Sequence, residues 1–251
     1  MTDLHLLAAA LFLPLFPLSM LFNAFFNRVQ HAVLRGAILI VWPHIGLAII
    51  HASASTVPEW MTTLALVTAL LYALRMLALR GVGQWTGFLA TSMWAVLWLA
   101  ASDVSQSMHH LYALGLSIPL VLLVSLSAGL EKRFGAAYTG LYEGLALSIP
   151  RFSGVLVVVV LAAIATPIFP AFFIMLSLIL ATGGLMPFAA VSLLITWLLW
   201  SWAGVRLLQG LIVGNKSEED IADLSLLAAW AYAIILIALI LSSMFVIGSM
   251  S

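Results

Sequence analysis

Nine apolar runs constrain this chain more than anything else in it. Residues 4–26, 33–52, 60–79, 84–101, 106–130, 150–166, 168–183, 187–212 and 222–249 each approach the roughly 20 residues that a helix needs to cross a bilayer. In hydrocarbon every backbone N–H and C=O must find a partner within the protein, so such runs fold as helices. With 65% hydrophobic and 7% charged residues and a mean hydropathy of +1.21, no stretch is left for a soluble domain. The expected fold is all-α: a polytopic membrane helix bundle of about nine transmembrane segments with broken helices, forming a single transmembrane domain over residues 1–251. Met1-Thr2-Asp3-Leu4-His5 lacks a basic region and a small-residue cleavage site, so the first run is expected to be a retained span.

The sixth and seventh runs form one 34-residue stretch, which as a single helix would be about 51 Å long. Pro167 and Pro170 predict a break there, since each removes a backbone donor. Lys and Arg mark the cytoplasmic side of membrane proteins. They fall at Arg28 and Arg35, at Arg75 and Arg80, at Lys132, Arg133 and Arg151, and at Arg206 and Lys216. The first three groups share a side under any count, and the fourth joins them only if 150–183 crosses once or its second half re-enters. The polar segment 214–223 reads as a turn capping the last helix.

A net charge of zero gives no basic surface for nucleic acid, and the chain has no cysteine to form a disulfide or a thiolate site. Neither a glycine-rich phosphate loop, a nucleophile elbow nor a metalloprotease helix signature occurs. The chain is therefore expected to be no enzyme by itself and to hold no metal or cofactor of its own.

What remains is a small set of polar residues in apolar surroundings. Trp42-Pro43-His44 predicts a kinked helix, and His51 lies two turns from His44 on the same face. On the fifth run Asp103, Gln106, His110 and Ser117 fall at i, i+3, i+7 and i+14, a polar stripe, with His109 on its flank. Ionisable groups inside a membrane are costly and mark ion paths, and imidazole both donates and accepts near neutral pH. His44, His51, Asp103, Gln106, His109, His110 and Ser117 are thus the candidate proton path, and Pro43, Pro167 and Pro170 the candidate helix breaks. Trp42, Trp60, Trp85, Trp200 and Trp202 read as interfacial or packing groups.

The order of these features resembles the antiporter-like, proton-conducting membrane subunits of respiratory complex I, Mrp antiporters and membrane hydrogenases. The counterparts run from Trp42-Pro43-His44 through Ala69-Leu70-Leu71-Tyr72, His109-His110 and Leu141-Tyr142-Glu143-Gly144-Leu145 to Ile149-Pro150-Arg151. They continue through Ala165-Thr166-Pro167-Ile168-Phe169-Pro170 and Arg206 to Asp223-Leu224-Ser225. Two departures stand out: the family's buried lysine at the first break is replaced by Pro-His, and the group after the second break is apolar Phe172 to Met175. Relative to that family the first several spans are absent. The chain is most similar to the short DabB-like subunit of the Dab inorganic-carbon system. That resemblance implies conduction of protons or Na⁺ in a bacterial cell inner membrane, energising CO₂ to bicarbonate conversion by a DabA-like partner that carries the zinc and resembles a carbonic anhydrase. The same family resemblance also fits a truncated proton- or cation-translocating subunit of a hydrogenase, complex I-like or Mrp-type complex.

Overall fold

The computed structural model describes residues 2–53, 57–103, 106–184, 186–215 and 221–248. Eleven helices follow in order: α1 (Thr2–Phe12), α2 (Ser19–Arg28), α3 (Ala32–Ser53), α4 (Glu59–Met76), α5 (Val82–Asp103), α6 (Gln106–Phe134), α7 (Leu145–Ser148), α8 (Pro150–Ala163), α9 (Pro170–Gly183), α10 (Pro187–Ile212) and α11 (Leu226–Gly248). Among the described residues no strand forms, and two isolated bridges, Gly81 with Tyr138 and Thr139 with Tyr142, hold down the loop after α6. The chain is an all-helical membrane protein in which α3, α10, α11 and residues 108–134 of α6 are each long and apolar enough to cross a bilayer unaided.

A count of nine spans is not what folds, and the first run shows why. Residues 4–26 are two half-length helices, because Pro14 and Pro17 sit between Phe12 and Ser19. Two prolines three residues apart delete two donors and crowd the carbonyls one turn back, which no single helix survives. The same arrangement splits 150–183, as expected at Pro167 and Pro170. There Ala165 and Ile168 take positive φ values of 58° and 81°, and the Thr166 N–H reaches back five residues to the Leu161 carbonyl at 3.2 Å. Pro43, in contrast, is not a break: α3 runs through it as one helix. A lone proline removes one hydrogen bond, which a 22-residue helix tolerates, and α6 likewise continues through Pro119.

Burying apolar groups does little to hold helices together in lipid, so close packing and interhelical hydrogen bonds must. Both act at the breaks. The Leu11 and Leu13 carbonyls accept from the Trp42 and Trp98 indoles at 3.2 and 2.9 Å, and the Phe16 N–H donates to Thr68 Oγ1 at 3.0 Å. At the second break Ala165 O accepts from Trp197 Nε1 at 3.0 Å and Ile168 O from Ser243 Oγ at 2.8 Å. A glycine receives each bend: a Cβ on Gly46 would lie 2.7 Å from Leu13 Cγ, and one on Gly204 2.6 Å from Ile164 Cγ2. Trp85 and Trp200 are not interfacial but fully buried, and Trp200 Nε1 donates to Ser92 Oγ at 2.8 Å.

Arg80 and Arg206 line one cavity of about 580 Å³ together with Thr139. Arg206 of the fourth basic group therefore shares an end of the bundle with the second, as expected if 150–183 crosses once or its second half re-enters. At this end the described residue Asp223 of the 214–223 segment does not cap α11, whose first turn is met by the Ser225 hydroxyl. Asp223 instead caps α8: its carboxylate accepts from the Arg151, Phe152 and Leu224 N–H groups at 2.9, 3.0 and 2.6 Å, while α11 begins after Ser225. Partial burial works against its charge, but these three donors and the Arg151 guanidinium prevail and hold its carboxyl below the usual range. Nearby, burial pushes the Tyr142 phenol up to about 12, and its O–H donates to Ala136 O at 2.6 Å.

Candidate functional site

Four imidazoles meet where α3 packs on α6. His44 and His51 stand two turns apart, about 10.5 Å along the α3 axis, too far to touch. His110 of α6 bridges them, its ring centroid 5.2 Å from His44 and 5.5 Å from His51. His51 also stacks on His109 at 5.0 Å, with His51 Nε2 2.7 Å from His109 Nδ1. The rings thus form the succession His44, His110, His51, His109.

Hydrogen-bond chemistry fixes one end of that array. His109 Nε2 lies 2.9 Å from the Ala100 carbonyl, which can only accept, so Nε2 carries a hydrogen. In the neutral ring Nδ1 is then the lone-pair atom, and His51 Nε2–H donates to it. The Ala100 carbonyl cannot itself carry a proton onward, and His110 is the ring that contacts both His44 and His51. His109 is buried at 2% exposure, although the helical wheel puts it on the flank, whereas His44, His51 and His110 are half-buried.

The remaining predicted residues fare differently. Ser117 is fully buried, but it accepts from the Trp94 indole at 3.1 Å. The stripe expected on one helix is not one helix: Asp103 closes α5 and Gln106 opens α6. Their side chains lie outside the described residues. Pro43 sits in the continuous helix beside His44, and Pro167 and Pro170 frame the second break. Among the described residues no group of three or more His, Asp or Glu side chains is arranged to hold a metal ion.

Sequence reasoning missed several polar groups that the fold makes important. Asn23 on α2 donates to Ser19 O at 2.9 Å and to Thr91 Oγ1 at 2.8 Å, and Tyr112 Oη lies 3.1 Å from Ser177 Oγ between α6 and α9. The first break was also legible. Pro14-Leu15-Phe16-Pro17 and Pro167-Ile168-Phe169-Pro170 are the same four-residue pattern, so recognising one would have found the other.

Comparison with known proteins places this architecture. No protein-family model and no curated protein sequence matches the chain. Solved structures do. A chain of respiratory complex I from Thermus thermophilus with bound NADH aligns with a TM-score of 0.83 and 22% identity over 97% of this chain and 54% of that one. A chain of the membrane-bound sulfane sulfur reductase, an archaeal respiratory membrane complex, aligns at 0.81 and 17% identity over 94% and 51%. A chain of the Mrp complex from Dietzia sp. DQ12-45-1b aligns at 0.72 and 18% identity over 86% and 42%. At these identities the fold is shared, and this chain spans about half the length of the chains it matches.

Proposed function

We propose that this chain is a proton- or cation-translocating membrane subunit of a larger complex, of the complex I-like or Mrp-like kind, and that the imidazole array moves the proton. One observation carries the reading: α3 and α6 hold four imidazoles ring to ring, one buried and three half-buried, on membrane-length apolar helices. Each neutral ring can take a proton at one nitrogen and release one from the other, so contacting rings suit a relay. His110 is its central link and His109 a terminal acceptor. Likeness of fold to chains of a respiratory complex I, an Mrp complex and an archaeal respiratory membrane complex supports it.

The half-burial of His44, His51 and His110 supports a partner as well. Ionisable groups turned towards lipid are costly, and a second protein surface laid over α3 and α6 would remove that cost. The narrower reading, in which the partner is a DabA-like zinc subunit and the task inorganic-carbon uptake in a bacterial inner membrane, rests on the sequence resemblance alone. In either reading catalysis and any zinc belong to the partner. The subunit that co-purifies in mild detergent separates the two: a carbonic-anhydrase-like protein supports the narrower, a respiratory or antiporter subunit the broader.

Proton flux into dye-loaded proteoliposomes, with the chain assembled with its co-purifying subunits, tests the relay. His110→Gln, which keeps a polar side chain but cannot carry a proton, should lower flux on the order of 100-fold while assembly persists. Wild-type flux in both His110→Gln and His51→Gln would overturn the relay.

A further inference from the structure

At the basic end of the bundle a polar pocket of about 540 Å³ opens between the α2–α3 turn, the start of α5 and the end of α6, lined among others by Arg35, Gly83, Gln84, Gln30, Asn27 and Glu131. Arg35 is only 9% exposed. Its guanidinium lies over the Phe26 ring at 4.8 Å, and Gly83 leaves the notch it occupies, since a Cβ there would stand 2.8 Å from Nη1 and 2.9 Å from Nη2. Among the described residues that guanidinium has no hydrogen-bond acceptor and no ion-pair partner, and its Nε is buried unsatisfied. Glu131 attracts it across the pocket without contacting it, and a buried charge without a contacting partner is among the most costly groups a fold can hold.

The backbone around it is short of acceptors too. At the start of α5 the Val82 N–H donates to Ala137 O and the Trp85 N–H to Gly81 O, which among the described residues leaves the Gly83 and Gln84 N–H groups without an acceptor. α3 also begins here, and the ends of α2 and α6 line the same pocket, so helix dipoles of both signs meet there and the guanidinium is left as its net positive group. The amides of Asn27, Gln30 and Gln84 add neutral donors. Among the lining residues Glu131 carries the single negative charge.

We propose that this pocket is a binding site for a phosphate-type oxyanion, held in a fork by Arg35 and by the free N–H groups of Gly83 and Gln84. The position favours the headgroup phosphate of an anionic phospholipid as its source. An apolar groove of about 490 Å³ lined by Ala32, Val33, Gly36, Ala37, Ile40 and Val121 flanks the same first turns of α3 and offers room for an acyl chain. Arg28, Lys132 and Arg133 stand close in sequence to the lining residues, as anionic lipid at that end would require.

Native mass spectrometry of the full chain with phosphatidylglycerol or phosphatidylcholine, and calorimetric titration with inorganic phosphate, read the site directly. Wild type should retain one phosphatidylglycerol in preference to phosphatidylcholine, and Arg35→Gln should weaken that retention roughly tenfold or more. Gly83→Ala keeps the charge but fills the notch, and should weaken binding in the same direction even if Arg35→Gln folds poorly. Glu131→Gln removes the one opposing charge and should tighten it. Binding of inorganic phosphate that depends on Arg35, without lipid preference, would keep the oxyanion site and assign it to a free anion. Retention of both lipids unaffected by Arg35→Gln and Gly83→Ala, with no phosphate binding, or weaker binding in Glu131→Gln, would overturn the proposal.

Discussion

At residues 13–18 the chain breaks between α1 and α2 around Pro14-Leu15-Phe16-Pro17, and at 164–169 it breaks again between α8 and α9 around Pro167-Ile168-Phe169-Pro170. In both places an indole N–H takes a freed carbonyl, a hydroxyl takes a second freed group, and a glycine on a neighbouring helix receives the bend. What surrounds them differs. Gly46, which receives the first break, lies between His44 and His51 in sequence but on the face of α3 turned to Leu13, whereas the imidazoles sit on the face that meets α6. On the side of the second break the bond between α6 and α9 joins two hydroxyls, Tyr112 to Ser177. Hydroxyls pass a hydrogen bond along but hold no charge near neutral pH, whereas imidazoles do both. A broken helix is thus a backbone solution used twice, whereas among the described residues the contacting imidazoles gather where α3 meets α6.

The strongest way to break this contrast is to move function between the halves. His110→Ala should lower proton flux on the order of 100-fold in the assembled complex, whereas Ser177→Ala, which removes the Tyr112–Ser177 hydrogen bond between α6 and α9, should change it less than about threefold. Equal losses measured in one flux assay would show that both halves conduct. Smaller effects test the likeness of the breaks. Trp98→Phe and Trp197→Phe each leave one carbonyl without its donor, so each should cost about 1–3 kcal/mol, read as a lower midpoint of thermal unfolding in detergent. A loss at one site and none at the other would show that the two breaks are not held alike.

The smallest expected effect concerns Asp223, which anchors the start of α8 and so the second half alone. Its carboxyl is held below the ordinary value when folded, so its contribution is fully present above the unfolded value near pH 4 and fades as pH falls through the folded one. Asp223→Ala should cost about 1 kcal/mol at neutral pH, as loss of a helix cap does. The difference from wild type should shrink in thermal scans at pH 3. A difference that grows on acidification would mean that Asp223 does not act as a charged cap.

Much of this was legible in the chain because it is governed by near neighbours. Apolar runs of membrane length dictate helices, and paired prolines dictate breaks, since both act through hydrogen bonds reaching one turn along the backbone. His44, His51 and His110 stood out for a similar reason: ionisable residues are rare in such runs. The wheel failed at Asp103, because it assumes a helix continuing past the point where α5 ends. It put His109 on the flank beside His110, and only the fold shows what that flank meets, because a helical face says nothing about its neighbour.

The sequence by itself determined that this protein is a helical membrane bundle, where its second break falls and which residue types could carry a proton. Only the tertiary structure decided who partners whom. His51 meets His109 across 58 residues, Trp98 satisfies Leu13 across 85, and Asp223 caps a helix that begins 73 residues before it. The physical reason is that an apolar surround makes every unpaired polar group costly, so each must find a partner. Which partner lies within reach depends on how the helices pack, and that no local pattern encodes.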